Sequence, residues 1–140
     1  MLTEEIDTIR DRIETSFGRQ GMMTTLGARI LEVEHGRVRI GAEVQAATSQ
    51  QHGAGHAGLT FSLADSAAGY AALTTMDPDT EVMTSEFRIS LLAPAQGRLM
   101  AEGRVLRPGR RLVAVAADVW AGDVHVATAL GTMVPVRKSS

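Results

Sequence analysis

The residues best suited to chemistry lie in one stretch, Gln50-Gln51-His52-Gly53-Ala54-Gly55-His56-Ala57-Gly58-Leu59-Thr60-Phe61-Ser62-Leu63-Ala64-Asp65. A glycine-rich loop runs straight into a helical segment, so the backbone N–H groups of the first turn have no partner inside the helix. Together with the positive end of the helix dipole they make a seat for an oxyanion or a polarised carbonyl. Two turns further in stands Asp65, the only acid between Glu43 and Asp77. A carboxylate in an apolar helix is costly unless it is solvated, paired or used. The small residues Ser62, Ala68 and Gly69 leave room for a ligand beside it. On residue chemistry alone, a structural acid bonded to a nearby loop and a functional carboxylate remain equal readings.

Other constellations carry less. His52 and His56 are four apart, but Gly53, Ala54 and Gly55 lie between them, no glutamate follows the first histidine, and no third ligand stands nearby. That spacing argues against metal. Ser62 and Ser66 lack the strand-turn-helix elbow of a serine nucleophile. Without cysteine there is no thiol nucleophile, disulfide or zinc–thiolate site. Arg104, Arg107, Arg110 and Arg111 cluster about the Pro108-Gly109 turn. They read either as a solvated hairpin end or as guanidinium forks for phosphate.

The elements that must position these groups follow from periodicity. Leu2, Ile6, Ile9, Ile13 and Phe17 recur at spacings of three and four, predicting an amphipathic helix over 3–18. Thr3 suits its N-cap and Gly18 its C-terminus. From Thr25 the period becomes two: Leu26, Ala28 and Ile30, then Val38, Ile40, Ala42 and Val44, form a hairpin about His35-Gly36. Residues 56–75 are apolar nearly all round, which predicts a buried central helix. Four strands follow, at Glu81–Leu92, Arg98–Arg107, Leu112–Trp120 and Val124–Val134, the last ending at Pro135. Short connections make the last three an antiparallel meander. One long antiparallel sheet around one apolar helix is the economical α+β solution. Its uncovered surface points to oligomerisation.

At 140 residues the chain fits a single domain over 1–140 with a core of its own. A formal charge of −2 gives no field suited to nucleic acid. The acidic N-terminus lacks a signal-peptide pattern, and Asp65, Asp118, Asp123 and His125 interrupt the longest apolar runs. These features predict no membrane span and a cytoplasmic location.

Several of these motifs together resemble the PaaI-like branch of the hotdog thioesterases. His-Ala-Gly at 56–58 and Leu-Ala-Asp-Ser-Ala at 63–67 look like the family's His-Gly-Gly and Leu-Ala-Asp-Thr-Ala elements. Glu86 to Ala95 resembles its central strand and following loop, and Gly103 to Arg111 its arginine-bearing hairpin. The likeness runs from the first hairpin to Pro135. It implies a hotdog fold, with an extra N-terminal helix here, assembled as homodimers or homotetramers with active sites between protomers.

The resemblance further implies an acyl-CoA thioesterase that needs no cofactor or metal. Asp65 would be general base or nucleophile, and the Ala57 N–H would polarise the thioester carbonyl where the family usually has glycine. Gln50 stands where relatives carry asparagine and would position the carbonyl or water. Thr84 would orient the attacking water from a polar face shared with Glu86 and Arg88. His56 is expected chiefly to hold the loop onto the helix start, and Gly58 to contact substrate. Arg104, Arg107, Arg110 and Arg111 would serve the phosphates of coenzyme A. Phe61, Leu63, Met83 and Leu91 are candidates for the acyl pocket. An acyl-CoA hydratase is disfavoured because Tyr70, not histidine, follows Asp65 by five residues. A non-catalytic acyl-CoA-binding or regulatory module is the alternative, and Asp65 discriminates, since a sensor has no use for a carboxylate beside the thioester.

Overall fold

Residues 57–73 have almost no polar side to turn outward, and they form the helix α3 (Ala57–Leu73) around which the rest is laid. The computed structural model describes residues 3–138. Before α3 come helix α1 (Thr3–Gly18), the short helix α2 (Gly21–Thr25), and strands β1 (Arg29–Glu34) and β2 (Arg37–Glu43). After it come β3 (Thr80–Leu91), β4 (Arg98–Arg107), β5 (Val113–Ala121) and β6 (Val124–Arg137). The strands make one antiparallel sheet in the order β1-β2-β4-β5-β6-β3. The sheet curls about α3, which packs against β2, β3, β4, β5 and β6. This is the hotdog arrangement, with α1 added.

Small residues let helix and sheet approach closely. Leu63, Ala64, Ala67, Ala68, Ala71 and Ala72 are fully buried. A Cβ at Gly103 of β4 would fall 2.2 Å from the Ala67 carbonyl carbon, so α3 rests on bare strand backbone. The stripe on α1 closes one flank, with Ile13 fully buried and Ile6, Ile9 and Phe17 packed against the core. Arg12 ties α1 to the turn after α3, donating to the carbonyls of Met76, Asp77 and Thr80. The cap assigned to Thr3 and the packing of Leu2 lie outside the described residues.

Four expectations need correction. Thr25 and Leu26 do not begin a strand: residues 21–25 are helical, and β1 starts at Arg29. A register shift between Ile30 and Glu32 then resets the alternation, so Val33 faces the core. β6 runs through Pro135 to Arg137. Past Met133 it is paired with β3 alone, and on a one-sided strand a missing N–H is tolerated. The strand carrying Thr84 is not central but an edge, bonded only to β6. Its face was also misassigned, because the register shifts between Thr84 and Glu86. That shift leaves Thr84 on the α3 side with Val82 and Phe87, while Glu86 and Arg88 point away.

The Gly103 contact gives a stability test. Gly103→Ala should lower the urea midpoint by an amount equivalent to about 1–3 kcal/mol, the usual range for overpacking. An unchanged midpoint would mean that α3 does not rest on β4 backbone.

Candidate active site

The loop before α3 is held by its own backbone and by two side chains. Gln50 N donates to Ala54 O and Gly53 N to Gln50 O, closing a tight turn, while Gly55 N donates to Ala95 O in the loop after β3. The Gln50 side-chain oxygen accepts from His52 N at 2.5 Å, which leaves its amide NH2 without a partner among the described residues. His56 is the N-cap of α3: its Nδ1 accepts from Gly58 N at 2.7 Å and its N donates to Thr48 O. Leu59 N and Thr60 N return to His56 O. Ala57 N–H alone in this turn has no acceptor among the described residues, and Ala57 is exposed. No non-glycine residue has positive φ, so alanine at position 57 is unstrained.

Asp65 is half-buried on the flank of α3. Thr84 donates to its Oδ1 at 2.7 Å. The same hydroxyl lies 3.4 Å from Met133 Sδ, but it has one proton and the carboxylate is the stronger acceptor. Asp65 Oδ2 has no partner among the described residues. Burial pushes the Asp65 pKa up, and the Thr84 hydrogen bond only partly offsets this. A carboxylate so placed is a stronger base than an ordinary one.

The proposed site residues fall into two groups. Asp65 and Thr84 open into a cavity of about 560 Å³, walled by α3, β3 and α1, with Ser16, Gln20, Gly69 and Tyr70 in its lining. Gln50, His56 and Ala57 open into a second depression of about 540 Å³, formed with Leu91 and the loop after it. Eight residues of helix separate Ala57 from Asp65, about 12 Å along the axis at 1.5 Å per residue. Within one chain these two residues cannot flank the same carbonyl group.

Three of the four acyl-pocket candidates line neither depression. Leu63 is in the core, Met83 faces away from α3, and Phe61 packs edge-on against Phe87, with ring centroids 5.4 Å apart. Leu91 lines the second depression. None of the four lines the Asp65 cavity. Of the small residues, Ala68 serves the close packing on β4, and Ser62 bonds back to Gly58 O; only Gly69 lines the cavity. The contribution of α1 was missed. Asp65, Gly69 and Leu73 at four-residue spacing form a stripe that could have traced the cavity along the helix, but nothing in sequence tied Ser16 and Gln20 to it.

Arg104 is not a free guanidinium. On the sheet face turned away from α3 it bonds Asp118 at 2.6 Å, and Asp118 also meets His125 Nε2 at 2.8 Å. Burial alone would raise the Asp118 pKa, but bonds from Arg104, Thr128 and His125 outweigh it and hold the carboxyl low. Arg107, Arg110 and Arg111 are exposed and have no acidic partner among the described residues.

The raised Asp65 pKa has a defined sign for stability. Below the unfolded value of about 3.9 the carboxyl is protonated in both states and costs nothing. As pH climbs through that value toward the raised folded one, folding must bury a charge and loses stability. Asp65→Asn should therefore melt higher than the parent at neutral pH, with the gain vanishing in acid. A gain independent of pH would contradict the assignment.

Residues 52–128 match the thioesterase superfamily model, more than half of the 140 residues. The crystal structure of a thioesterase family protein from Silicibacter pomeroyi superposes with a TM-score of 0.90 at 36% identity, covering 93% of this chain and 99% of that one. The PaaI protein of E. coli, from its phenylacetic acid degradation operon, shares the fold at a TM-score of 0.85 and 21% identity, covering 96% of each chain. A Saccharolobus solfataricus protein named "Putative esterase SSO1253" is 32% identical over 117 residues, 82% of this chain and 77% of its own length. With a family model that matches more than half of the chain and a relative 32% identical over 82% of it, the chain belongs to the thioesterase superfamily.

Proposed function

We propose that this chain hydrolyses acyl-CoA thioesters at a site completed by a second copy of itself. The observation that carries this reading is the separation just described: a free carboxylate oxygen and a free helix-start N–H, each opening into its own cavity, too far apart to share a substrate. The edge strand β3 supports it. Its Thr84 end lines the Asp65 cavity and its Leu91 end lines the Ala57 depression. A two-fold axis pairing β3 with its own copy runs the strands in opposite directions, laying the Thr84 end of one beside the Leu91 end of the other. Each Asp65 then meets the helix start of the second copy.

At such a site the thioester oxygen sits on the Ala57 N–H, assisted by the helix dipole and by the spare amide of Gln50. Asp65, held by Thr84, takes a proton from water as the water oxygen attacks the carbonyl carbon, or attacks directly to give a mixed anhydride that water then opens. The C–S bond breaks, the coenzyme A thiolate leaves and is protonated, and the acid is released. A thiolate leaves readily, so one carboxylate suffices. His56 organises the helix start rather than the chemistry. A non-catalytic acyl-CoA sensor would have no use for a half-buried carboxylate with a raised pKa.

Two dead variants test the shared site. Asp65→Asn should lose about 10² to 10⁴ in rate. Ala57→Pro removes the N–H at the first helical position, where proline is well tolerated, and should lose about 10² to 10³. Mixed and allowed to exchange, the two should regain a substantial fraction of parent activity, because hybrid dimers hold one intact site. No recovery, with hybrids demonstrated by mass spectrometry, would place the whole site in one chain.

The unpaired arginines are assigned to the phosphates of coenzyme A. Replacing Arg107, Arg110 and Arg111 with alanine should raise KM on acyl-CoA, leave kcat nearly unchanged, and spare the same acyl group on a truncated thiol. Arg104→Ala, already neutralised by Asp118, should shift KM much less. Equal losses on both substrates would assign the hairpin arginines to folding or assembly instead.

A further inference from the structure

Gly103 and Gly69 lie at the contact between α3 and the sheet, Gly131 lies where β6 pairs with β3, and packing explains all but Gly69. A Cβ at Gly103 would overlap Ala67 backbone at 2.2 Å, and one at Gly131 would come within 2.5 Å of Phe87 and 2.7 Å of Glu86 O. Gly69 differs. A Cβ there would find nothing nearer than Met133 Sδ and Val82 Cγ1, both at 3.9 Å, an ordinary van der Waals distance. Glycine inside a helix is destabilising relative to alanine, so an alanine at position 69 would fit and would favour the helix. Ala64, Ala67, Ala68, Ala71 and Ala72 show that this helix uses alanine freely wherever a methyl group fits.

The missing methyl group opens space in one place. Gly69 lies one turn beyond Asp65 on the same face of α3, and it lines the Asp65 cavity with Val82 and Tyr70. The cavity follows the stripe Asp65, Gly69, Leu73 for about 12 Å between α1 and β3. Its α1 wall is fixed from within: Tyr70, 4% exposed, bonds Gln20 at 2.6 Å and Ser16 at 3.0 Å, and its ring packs on Phe17. With that wall anchored and β3 opposite, the width of the groove beside the carboxylate is set at position 69.

We propose that Gly69 is a specificity-determining position, kept without a side chain so that an acyl group longer or bulkier than acetyl can pass Asp65 and lie along α3 toward Leu73. The proposal rests on the thioesterase reading above and names the acyl class that site accepts. Gly69 touches the acyl group and takes no part in bond breaking.

The test compares the full-length parent with Gly69→Ala in three measurements. Thermal denaturation should show the variant melting at the parent temperature or higher; a lower melting temperature would mean that packing requires the glycine, and would overturn the proposal. The ratio of kcat/KM for decanoyl-CoA or phenylacetyl-CoA over that for acetyl-CoA should fall by roughly 10- to 200-fold, the effect of a single methylene on fit along the Gly69, Tyr70, Leu73 and Val82 side of the groove. An unchanged ratio would overturn it. Titration with the free acids, decanoate against acetate, reads the groove without turnover, and the variant should lose decanoate binding selectively. If the parent cleaves no thioester, the functional reading fails, while selective loss of decanoate binding still supports the groove and equal binding by both proteins overturns it.

Discussion

An apolar helix has to be covered, and in this chain the cover must come so close that side chains are omitted to allow it. Ala67 rests on Gly103 with no room for a methyl group between them. That contact fixes the depth at which α3 sits in the sheet, and therefore where its start and its Asp65 flank emerge. The start of α3 reaches the surface beside the loop after β3, and its Asp65 flank reaches the surface between β3 and α1. The curl of the sheet, the position of the edge strand and the opening of both cavities follow from one helix held at one depth.

The same burial gives Asp65 its character. Little of the charge is compensated, since a single hydroxyl faces it and no cation is paired with it among the described residues. The fold accepts that cost at one position and avoids it elsewhere: Asp118, on the outer face, is surrounded by Arg104, His125 and Thr128. Two acids of the same type are thereby driven in opposite directions, Asp65 toward holding its proton more tightly and Asp118 toward holding its charge. The distinction comes from the partners each was given.

Much of this was legible in the sequence. The all-apolar run marked α3, the glycine-rich loop marked its start, and isolation marked Asp65. The failures share a cause, which is that periodicity carries no information about register. A bulge at Leu31 reset the alternation of β1, and one at Ser85 turned Thr84 toward the helix after counting had placed it with Glu86 and Arg88. Strand order was equally hidden, because β3 is followed in sequence by β4 yet pairs with β6. Arg104 looked like its neighbours at the hairpin until the sheet set Asp118 opposite it. Of the hydrophobic candidates for the acyl pocket, Leu63 was needed for the core, Phe61 packs on Phe87 and Met83 faces away from α3.

The twelve residues of β3 form one of the two edges of the sheet, and the one that lines both depressions. A strand that meets its own copy about a two-fold axis presents one surface as both halves of an interface. In the dimer proposed above, every substitution there would be written twice, so its effect on association would be counted twice for a single change in the gene. A side chain close to the axis faces near neighbours of itself, which rewards apolar or oppositely charged residues a step apart and penalises a lone charge at the centre. The alternation of Glu86 and Arg88 on the outward face suits that arithmetic. Such symmetry would place more weight on β3 than its length alone suggests.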